Sequence, residues 1–298
     1  MLASIARVEC FSLMKKLLFA CLALSATTCF AQHRLLVSGC AYGEVAVYAA
    51  DGTKEWSIAE KNEADDAWLL PNNDVVMAYK YGVRIIRPDW ESGSGAETLK
   101  DRPTPNGGET HSCQPLPGGG FLIGESWNGH SAIVELDAEL KETKRIELKG
   151  LGGKHSSFRQ IRKTPQNTYL VTQQKKGGQA MEVNSAGEII RRFPDGRFVA
   201  ERLENGNTLI AGGDSHRIIE VDAEGQVVWA LEQNDLDGVS IGFAAGVQRL
   251  PNGNTIFCNW GGHGGTAGAS IIEVSPNKKI VWSTSPGKPN RIANVKVL

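Results

Sequence analysis

Short apolar runs alternate with turn-forming residues along nearly the whole chain. A typical stretch reads TLIAG (208–212), then RIIEVD (217–222), then VVWAL (227–231), with Gly, Asn or Asp between the runs. Runs of about four to eight residues that are rich in Val and Ile and are bounded by such residues are typical of β-strands. The pattern therefore predicts many short strands joined by tight turns.

The strand pattern repeats about every 40–48 residues, and its turns are anchored at Pro71, Pro117, Pro165, Glu204 and Pro251. Each unit predicts four strands. The first ends in a Pro-Asn-Gly-Asn turn or a variant, the second is short and apolar, the third alternates and ends in an Asp-x-x-Gly turn, and the fourth follows that turn. Four strands in a repeat of this length are the signature of a β-propeller blade.

The two ends of the chain predict how the ring closes. Residues 34–58 supply only the second, third and fourth strands of a unit, whereas residues 292–298 match the first strand of the other units. We therefore predict an all-β fold, a six-bladed β-propeller with four antiparallel strands per blade, in which the C-terminal strand (292–298) pairs with the N-terminal strands (34–58). Closure removes an unpaired sheet edge that would promote aggregation. We expect a monomer.

Two units carry a family resemblance. LENGNTL (203–209) precedes RIIEVDAEGQVVW (217–229), and LPNGNT (250–255) precedes SIIEVSPNKKIVW (270–282). These repeats resemble the secreted bacterial propellers grouped as PQQ-like and are similar to the repeat part of arylsulfotransferases, over nearly the whole chain after residue 32. Arylsulfotransferases commonly have a His-Asp pair where residues 244–247 read Ala-Ala-Gly-Val here. The chain has no quinone-site pattern, so no cofactor is expected.

The N-terminal segment predicts export. From Met14, which we take as the true start, two lysines precede an apolar run from Leu17 to Leu24, and small residues lead to Ala31. This is the order of regions in a secretory signal peptide, and the run is shorter than the about 20 residues that span a membrane. We expect residues 1–31 to be removed, leaving 32–298 as a single periplasmic or extracellular domain.

The cysteines bear on anchoring and on disulfides. Cys21 and Cys29 leave a lipid-anchored form as an alternative to simple export. Cys40, Cys113 and Cys258 remain after the predicted cleavage, and they are odd in number and far apart. We therefore expect small buried residues rather than a disulfide framework, with one bridge plus a free thiol as the alternative.

Charge and composition narrow the possible partners. The formal net charge of -1 indicates no broad basic face, so nucleic acid is not an expected partner. The 34 glycines among 298 residues exceed the usual share of about 7 %. This excess agrees with a fold that contains many tight turns.

The histidines are distributed unevenly between the two rims of the predicted ring. His111 and His155 fall before or at the start of first strands, and His130, His216 and His263 lie in or beside loops between second and third strands. Propeller geometry places all five on one rim. Ligand and catalytic groups usually lie on loops held by a rigid scaffold, so we predict the functional site on this rim.

Two loops on this rim repeat a motif, Trp127-Asn-Gly-His130 and Trp260-Gly-Gly-His263. They belong to opposite blades of a six-bladed ring. A Trp beside a His offers a flat apolar platform with a hydrogen-bonding edge, which suits a sugar or an aromatic ring. The alternative is that each Trp covers a blade core while the His bonds a neighbouring loop.

The mouth of the central channel is the second candidate site. Its predicted lining mixes acids, bases and histidines: Asp65, Asp66, Trp68, Glu109, His111, His155, Arg159, Arg197, Glu201, Arg291 and Asn294. Histidine titrates near neutral pH and performs acid–base chemistry, so we take His111, His155 and Arg159 as candidate catalytic residues. A His111–His155 pair with an Asp could also hold a metal, but no regular metal-ligand spacing is present, and no metal is predicted.

Two functions from different classes remain. The first is an exported binding propeller whose rim holds a small polar ligand, such as a carbohydrate, or a protein partner. Its candidate ligand-binding residues are Trp68, Trp127, His130, Arg197, Glu201, His216, Trp260, His263 and Arg291. The second is an extracytoplasmic enzyme, a lyase, hydrolase or arylsulfotransferase-like transferase, that uses the rim histidines and arginines.

Overall fold

A computed structural model describes residues 33–151, 154–155, 157–288 and 290–298. Within these ranges the chain forms short β-strands and one 3₁₀ helix (Pro105–Gly107). The predicted signal segment (1–31), including Cys21 and Cys29, lies outside the described residues. No helix in the described ranges is long and apolar enough to cross a membrane.

Each blade is a sheet of four antiparallel strands. The first three blades follow the predicted strand order. Blade 1 contains β24 (Asn294–Val297), β1 (Leu35–Ser38), β2 (Glu44–Tyr48) and β3 (Lys54–Ala59). Blade 2 contains β4 (Asp66–Leu69), β5 (Val75–Ala78), β6 (Gly82–Pro88) and β7 (Ala96–Pro103). Blade 3 contains β8 (Glu109–Pro115), β9 (Phe121–Trp127), β10 (His130–Leu136) and β11 (Glu142–Glu147).

The other three blades follow the same order. Blade 4 contains β12 (Ile161–Lys163), β13 (Tyr169–Thr172), β14 (Ala180–Val183) and β15 (Ile189–Arg192). Blade 5 contains β16 (Val199–Arg202), β17 (Thr208–Ala211), β18 (Ile218–Val221) and β19 (Val227–Leu231). Blade 6 contains β20 (Ala244–Arg249), β21 (Thr255–Asn259), β22 (Ile271–Val274) and β23 (Ile280–Thr284).

The ring closes as predicted. Strand β24 pairs with β1 in antiparallel register, from Leu35 opposite Val297 to Ser38 opposite Asn294. The first strands of the six blades contact one another in ring order, and β24 contacts both β20 and β4. The closing strand begins at Asn294, two residues later than the predicted segment. The six-bladed β-propeller and its closure are thus confirmed.

The apolar core lies between neighbouring blades. Second and third strands such as β17 and β18 are buried along their whole length, because both faces of a blade pack against other blades. Trp56 and Trp282 are almost fully buried at equivalent positions of fourth strands. Cys113 and Cys258 are buried strand residues, Cys40 lies in a turn, and all three are free thiols.

The centre of the ring is filled by a buried polar network. Asp66 receives two hydrogen bonds from Arg162 across the axis, at 2.7 and 3.2 Å. Lys296 and Arg162 both approach Glu201, at 3.2 and 3.5 Å. Trp68 completes this axial network, since its ring lies against Lys296 and Arg162 and its Nε1 donates to the Cys113 carbonyl.

Candidate functional site

A cluster of titratable side chains lies on the predicted rim, just above the axial network. We call it the rim cluster; its members are Glu63, Asp65, Glu109, His111, His155 and Arg159. Asp65, Glu109 and Arg159 lie within two residues of the start of the first strands of blades 2, 3 and 4. Side chains from three consecutive blades therefore meet in the rim cluster.

A β-bulge helps to aim the histidine of blade 3. Between Thr110 and Cys113, β8 carries one more residue than the facing segment of β9. A bulge of this kind redirects side chains and is common beside functional sites. Here His111 reaches the rim cluster, while the Ser112 hydroxyl turns toward Asp66 of the axial network and the Ile161 carbonyl.

Glu109 holds both histidines through a single oxygen. Its Oε2 lies 2.9 Å from Nε2 of His111 and 2.8 Å from Nδ1 of His155. An ionised carboxylate only accepts hydrogen bonds, so both of these nitrogens carry hydrogens. The other nitrogen of each ring, Nδ1 of His111 and Nε2 of His155, therefore faces the rest of the cluster.

Arg159 connects the cluster across the ring. Its Nη1 donates to Asp65 Oδ2 at 2.7 Å and lies 2.8 Å from Nδ1 of His111, and its Nη2 lies 2.9 Å from Nε2 of His155. Glu63 Oε2 lies 3.5 Å from the same Nη1. The terminal nitrogens of Arg159 are thus engaged by other members of the cluster.

The surroundings keep two buried acids ionised. Burial alone raises the pKa of Asp65, but the Arg159 guanidinium and the hydrogen bond to His111 outweigh it and hold the pKa at about 2. Burial likewise raises the pKa of Glu109, and the hydrogen bonds to His111 and His155 bring it below its usual range. Both carboxylates are therefore available as hydrogen-bond acceptors over the physiological range of pH.

An apolar wall faces the rim cluster across a small concavity. This rim cavity has a volume of about 110 Å³ and is lined by Cys40, Asp65, His155, Arg159, Gln174, Phe198, Phe243, Trp260, His263 and Ala293. The ring of Phe243 makes edge contacts with Phe198, Trp260 and His263, at centroid distances of 5.5, 5.2 and 5.4 Å. The cavity therefore has one polar and one aromatic side.

Several buried polar atoms of the cavity lining have no hydrogen-bond partner among the described residues. They are Oδ1 of Asp65, Nε of Arg159 and Oε1 of Gln174. Asp65 and Arg159 are 1 % and 4 % exposed. Buried polar atoms without partners cost stability, so a bound group that both donated and accepted hydrogen bonds here would lower this cost.

Three predicted residues lie beside the cavity. His263 Nδ1 is 2.7 Å from Asp214, which also pairs with Arg197 at 3.1 Å. His216 has a positive φ of 59° and its Nδ1 is 2.7 Å from the Gly242 carbonyl. His263 lines the cavity, whereas Arg197 and His216 support the loops around it.

Other predicted residues lie elsewhere. Trp127 and His130 flank a tight hairpin and stack on each other, and Trp127 packs beside Arg145 of the outer strand rather than in the cavity. Arg291 is exposed. The axial network, not the cavity, contains Trp68 and Glu201. The structure therefore brings together Asp65, Glu109, His111, His155, Arg159, Trp260 and His263 and leaves Arg197 and His216 beside them. It separates Trp68, Trp127, His130, Glu201 and Arg291 from this group.

Sequence reasoning missed part of the site. Glu63 lies in the connection between blades 1 and 2, where the repeat offers no equivalent position. Phe198 and Phe243, by contrast, directly precede the first strands of blades 5 and 6. They occupy places like those of Asp65 before β4 and of Arg159 before β12, so their position in the repeat was a usable signal.

Comparison with known proteins identifies the fold of this chain and does not assign it to a family. Neither a protein-family model nor a curated protein sequence matches the chain. A protein of unknown function from Bacteroides caccae is 24 % identical, with a TM-score of 0.78 over 89 % of this chain and 98 % of that chain. A Lactobacillus plantarum protein is 13 % identical, with a TM-score of 0.58 over 90 % and 99 %. A catalytically inactive virginiamycin B lyase from Staphylococcus aureus, solved with quinupristin, is 11 % identical, with a TM-score of 0.56 over 85 % of each chain. These likenesses show the propeller fold.

Proposed function

We propose that this protein binds a small hydroxylated ring, such as the terminal sugar of a carbohydrate, in the rim cavity. The observation that carries the proposal is the pairing of an aromatic wall with unpartnered polar atoms on the facing wall. Trp260 and Phe243 offer apolar surface to the C–H face of a sugar ring. A hydroxyl group both donates and accepts, so one hydroxyl can serve Asp65 Oδ1 and another Arg159 Nε.

The volume of the cavity limits the buried part of the ligand. An engineered apolar cavity of about 150 Å³ binds benzene, and the rim cavity, with about 110 Å³, is smaller. It therefore accepts one ring at most, with the rest of the ligand outside the rim. An anionic group is disfavoured there because the terminal nitrogens of Arg159 already bind Asp65 and the histidines.

The test is a binding screen against mono- and oligosaccharides by isothermal titration calorimetry. Trp260→Ala and Gln174→Leu should each weaken binding of any ligand found by at least tenfold, because the first removes part of the aromatic wall and the second removes an unpartnered acceptor, Oε1. Trp127→Ala is the matched control, since Trp127 shares the Trp-x-Gly-His motif but lies away from the cavity. Equal binding by wild type, Trp260→Ala and Gln174→Leu would refute the proposal.

We also propose that the protein works outside the cytoplasm. The lysine pair, apolar run and small residues between Met14 and Ala31 support this, as does the resemblance of the repeats to secreted PQQ-like propellers. Fractionation of producing cells, with N-terminal sequencing of the mature chain, tests the proposal. Mature protein that starts at Gln32 outside the cytoplasm is the expected result, and an uncleaved cytoplasmic chain would contradict it.

An enzymatic role is the second candidate, and one specific observation favours it. The His155 side chain is 49 % exposed at the cavity while its Nδ1 binds the buried Glu109. A carboxylate that orients a histidine in this way is a recurrent acid–base arrangement. Incubation of the protein with each bound sugar, followed by mass spectrometry, distinguishes a lyase or hydrolase from a binding protein. Turnover that disappears in His155→Ala supports the enzyme, and unchanged sugar supports the binding protein.

A further inference from the structure

We infer that Glu63, His111 and His155 form a binding site for a divalent transition-metal ion such as Zn²⁺. One ligand atom from each of these side chains lies within 4.8 Å of the others. Two imidazoles and a carboxylate are a ligand set that favours transition metals over Ca²⁺ or Mg²⁺. Three protein ligands also leave a coordination position open, as in catalytic zinc sites.

The hydrogen bonds of Glu109 support this assignment. Histidines that bind metals usually donate their other ring N–H to a carboxylate, which fixes the tautomer. Glu109 accepts from both His111 and His155 through Oε2. When both rings are neutral, their lone pairs are therefore on His111 Nδ1 and His155 Nε2, which lie side by side along the Arg159 guanidinium. Asp65 Oδ2 also lies 2.9 Å from His111 Nδ1, so an ion that binds this nitrogen takes the place of that contact.

The third ligand, Glu63, has one carboxylate oxygen without a hydrogen bond. Oε2 of Glu63 is buried, has no hydrogen-bond partner among the described residues, and lies 3.8 Å from His111 Nδ1. The other oxygen, Oε1, is held by Lys80 at 2.9 Å. Glu63 is therefore fixed at one oxygen and available at the other.

Charge also favours a cation at this place. The three carboxylates of Glu63, Asp65 and Glu109 face two cations, Arg159 and Lys80. The Arg159 guanidinium lies against the same two imidazole nitrogens that would bind the metal. The metal ion and the guanidinium therefore compete, and Arg159 must turn toward Asp65 Oδ1, which has no partner, when the ion binds.

The inference does not require that the protein binds a sugar, and it is tested on the full mature chain without an affinity tag. After treatment with EDTA and dialysis, titration calorimetry with ZnCl₂ should show one equivalent bound, whereas CaCl₂ should give no binding. His155→Ala and Glu63→Gln should each weaken Zn²⁺ binding by at least tenfold. His130→Ala, which removes an exposed rim histidine outside the cluster, should bind as the wild type does.

The variant Arg159→Gln tests whether the guanidinium and the metal ion compete for the same place. If the guanidinium competes with the ion, this variant binds Zn²⁺ more tightly than the wild type. Failure of the wild type to bind Zn²⁺ stoichiometrically, whether or not Arg159→Gln binds it, would overturn the inference, because Arg159 would then be the permanent cation. Far-ultraviolet circular dichroism confirms that each variant is folded, and sugar binding measured in EDTA keeps the two proposals apart.

Discussion

Gly124 shows how closely neighbouring blades pack at the scale of one residue. A Cβ at this position in β9 would lie 2.2 Å from Phe158 Cε2 and 2.6 Å from Ile161 Cδ1 of blade 4. Both partners are buried, so they cannot move away freely. The glycine is therefore required by close approach between blades and not by backbone conformation.

We expect Gly124→Ala to lower the free energy of unfolding by about 1–3 kcal/mol, the usual effect of overpacking. Urea unfolding followed by tryptophan fluorescence measures it. Gly177→Asn is the control, since Gly177 has a φ of +70° that Asn tolerates and no heavy atom lies within 4 Å of its Cβ position. A stability of Gly124→Ala equal to that of the wild type would show that the blades can separate locally.

The two Trp-x-Gly-His motifs show a limit of sequence reasoning at the residue scale. Asn128 and Gly129 both have positive φ, so β10 begins at His130 and the first motif is a two-residue hairpin. After Trp260 the next strand begins only at Ile271. The same residues thus lie in a tight turn in one blade and in a long loop in the other. Only the distance to the next strand distinguished them.

At the scale of elements, the repeat predicted the strands well because each blade uses the same turns. The positions of the first strands were also sufficient to predict that His111, His155 and Arg159 lie close together, since these residues occupy similar places in consecutive units. Glu63 and Gln174 could not be found in this way. They lie in connections of individual blades, and their positions depend on contacts such as that of Glu63 with Lys80.

Strand β24 is the element on which closure depends. Val295 is fully buried and pairs with Val37, whereas Leu298 is 41 % exposed just beyond the strand. We expect Val295→Asp to destabilise the protein by about 3–5 kcal/mol, because it places an unpaired charge in the core. Leu298→Asp is the matched control and should change the stability by less than about 0.5 kcal/mol. The two variants are compared by urea unfolding. Equal unfolding midpoints would refute the role of β24 in closure.

At the scale of the whole molecule, ion pairs connect consecutive blades in a repeated way. In blades 3, 4 and 5, the glutamate of the third strand reaches the base at the end of the next blade's first strand. These pairs are Glu135–Lys163, Glu182–Arg202 and Glu220–Arg249, at 2.7, 2.6 and 2.7 Å. They join blades 3 to 4, 4 to 5 and 5 to 6. The sequence repeat shows the third-strand glutamates and the first-strand bases. It does not show which glutamate pairs with which base, because the two partners belong to different units.

These pairs make stability depend on pH. Burial raises the pKa of Glu220, but hydrogen bonds from Asn207 and Asn205 and the charge of Arg249 lower it below the ordinary value. Burial also raises the pKa of Glu135, and hydrogen bonds from Lys163 and Tyr169 lower it. A carboxyl with a lowered pKa in the folded state stabilises the fold above its unfolded pKa of about 4.3. This contribution is lost as the pH falls through the folded pKa.

Glu220→Gln should therefore lower the free energy of unfolding by about 1–3 kcal/mol at pH 7, the usual value for a charge-assisted hydrogen bond, and by less at acid pH. The reason is that acid protonates Glu220 in the wild type and removes the same interaction. Urea unfolding of both proteins at pH 7 and below pH 4 measures the difference. Glu224→Gln, an exposed turn position of the same blade, should leave stability unchanged at either pH. A deficit in Glu220→Gln that stays constant between the two pH values would mean that the ionised carboxylate contributes nothing to holding blades 5 and 6 together.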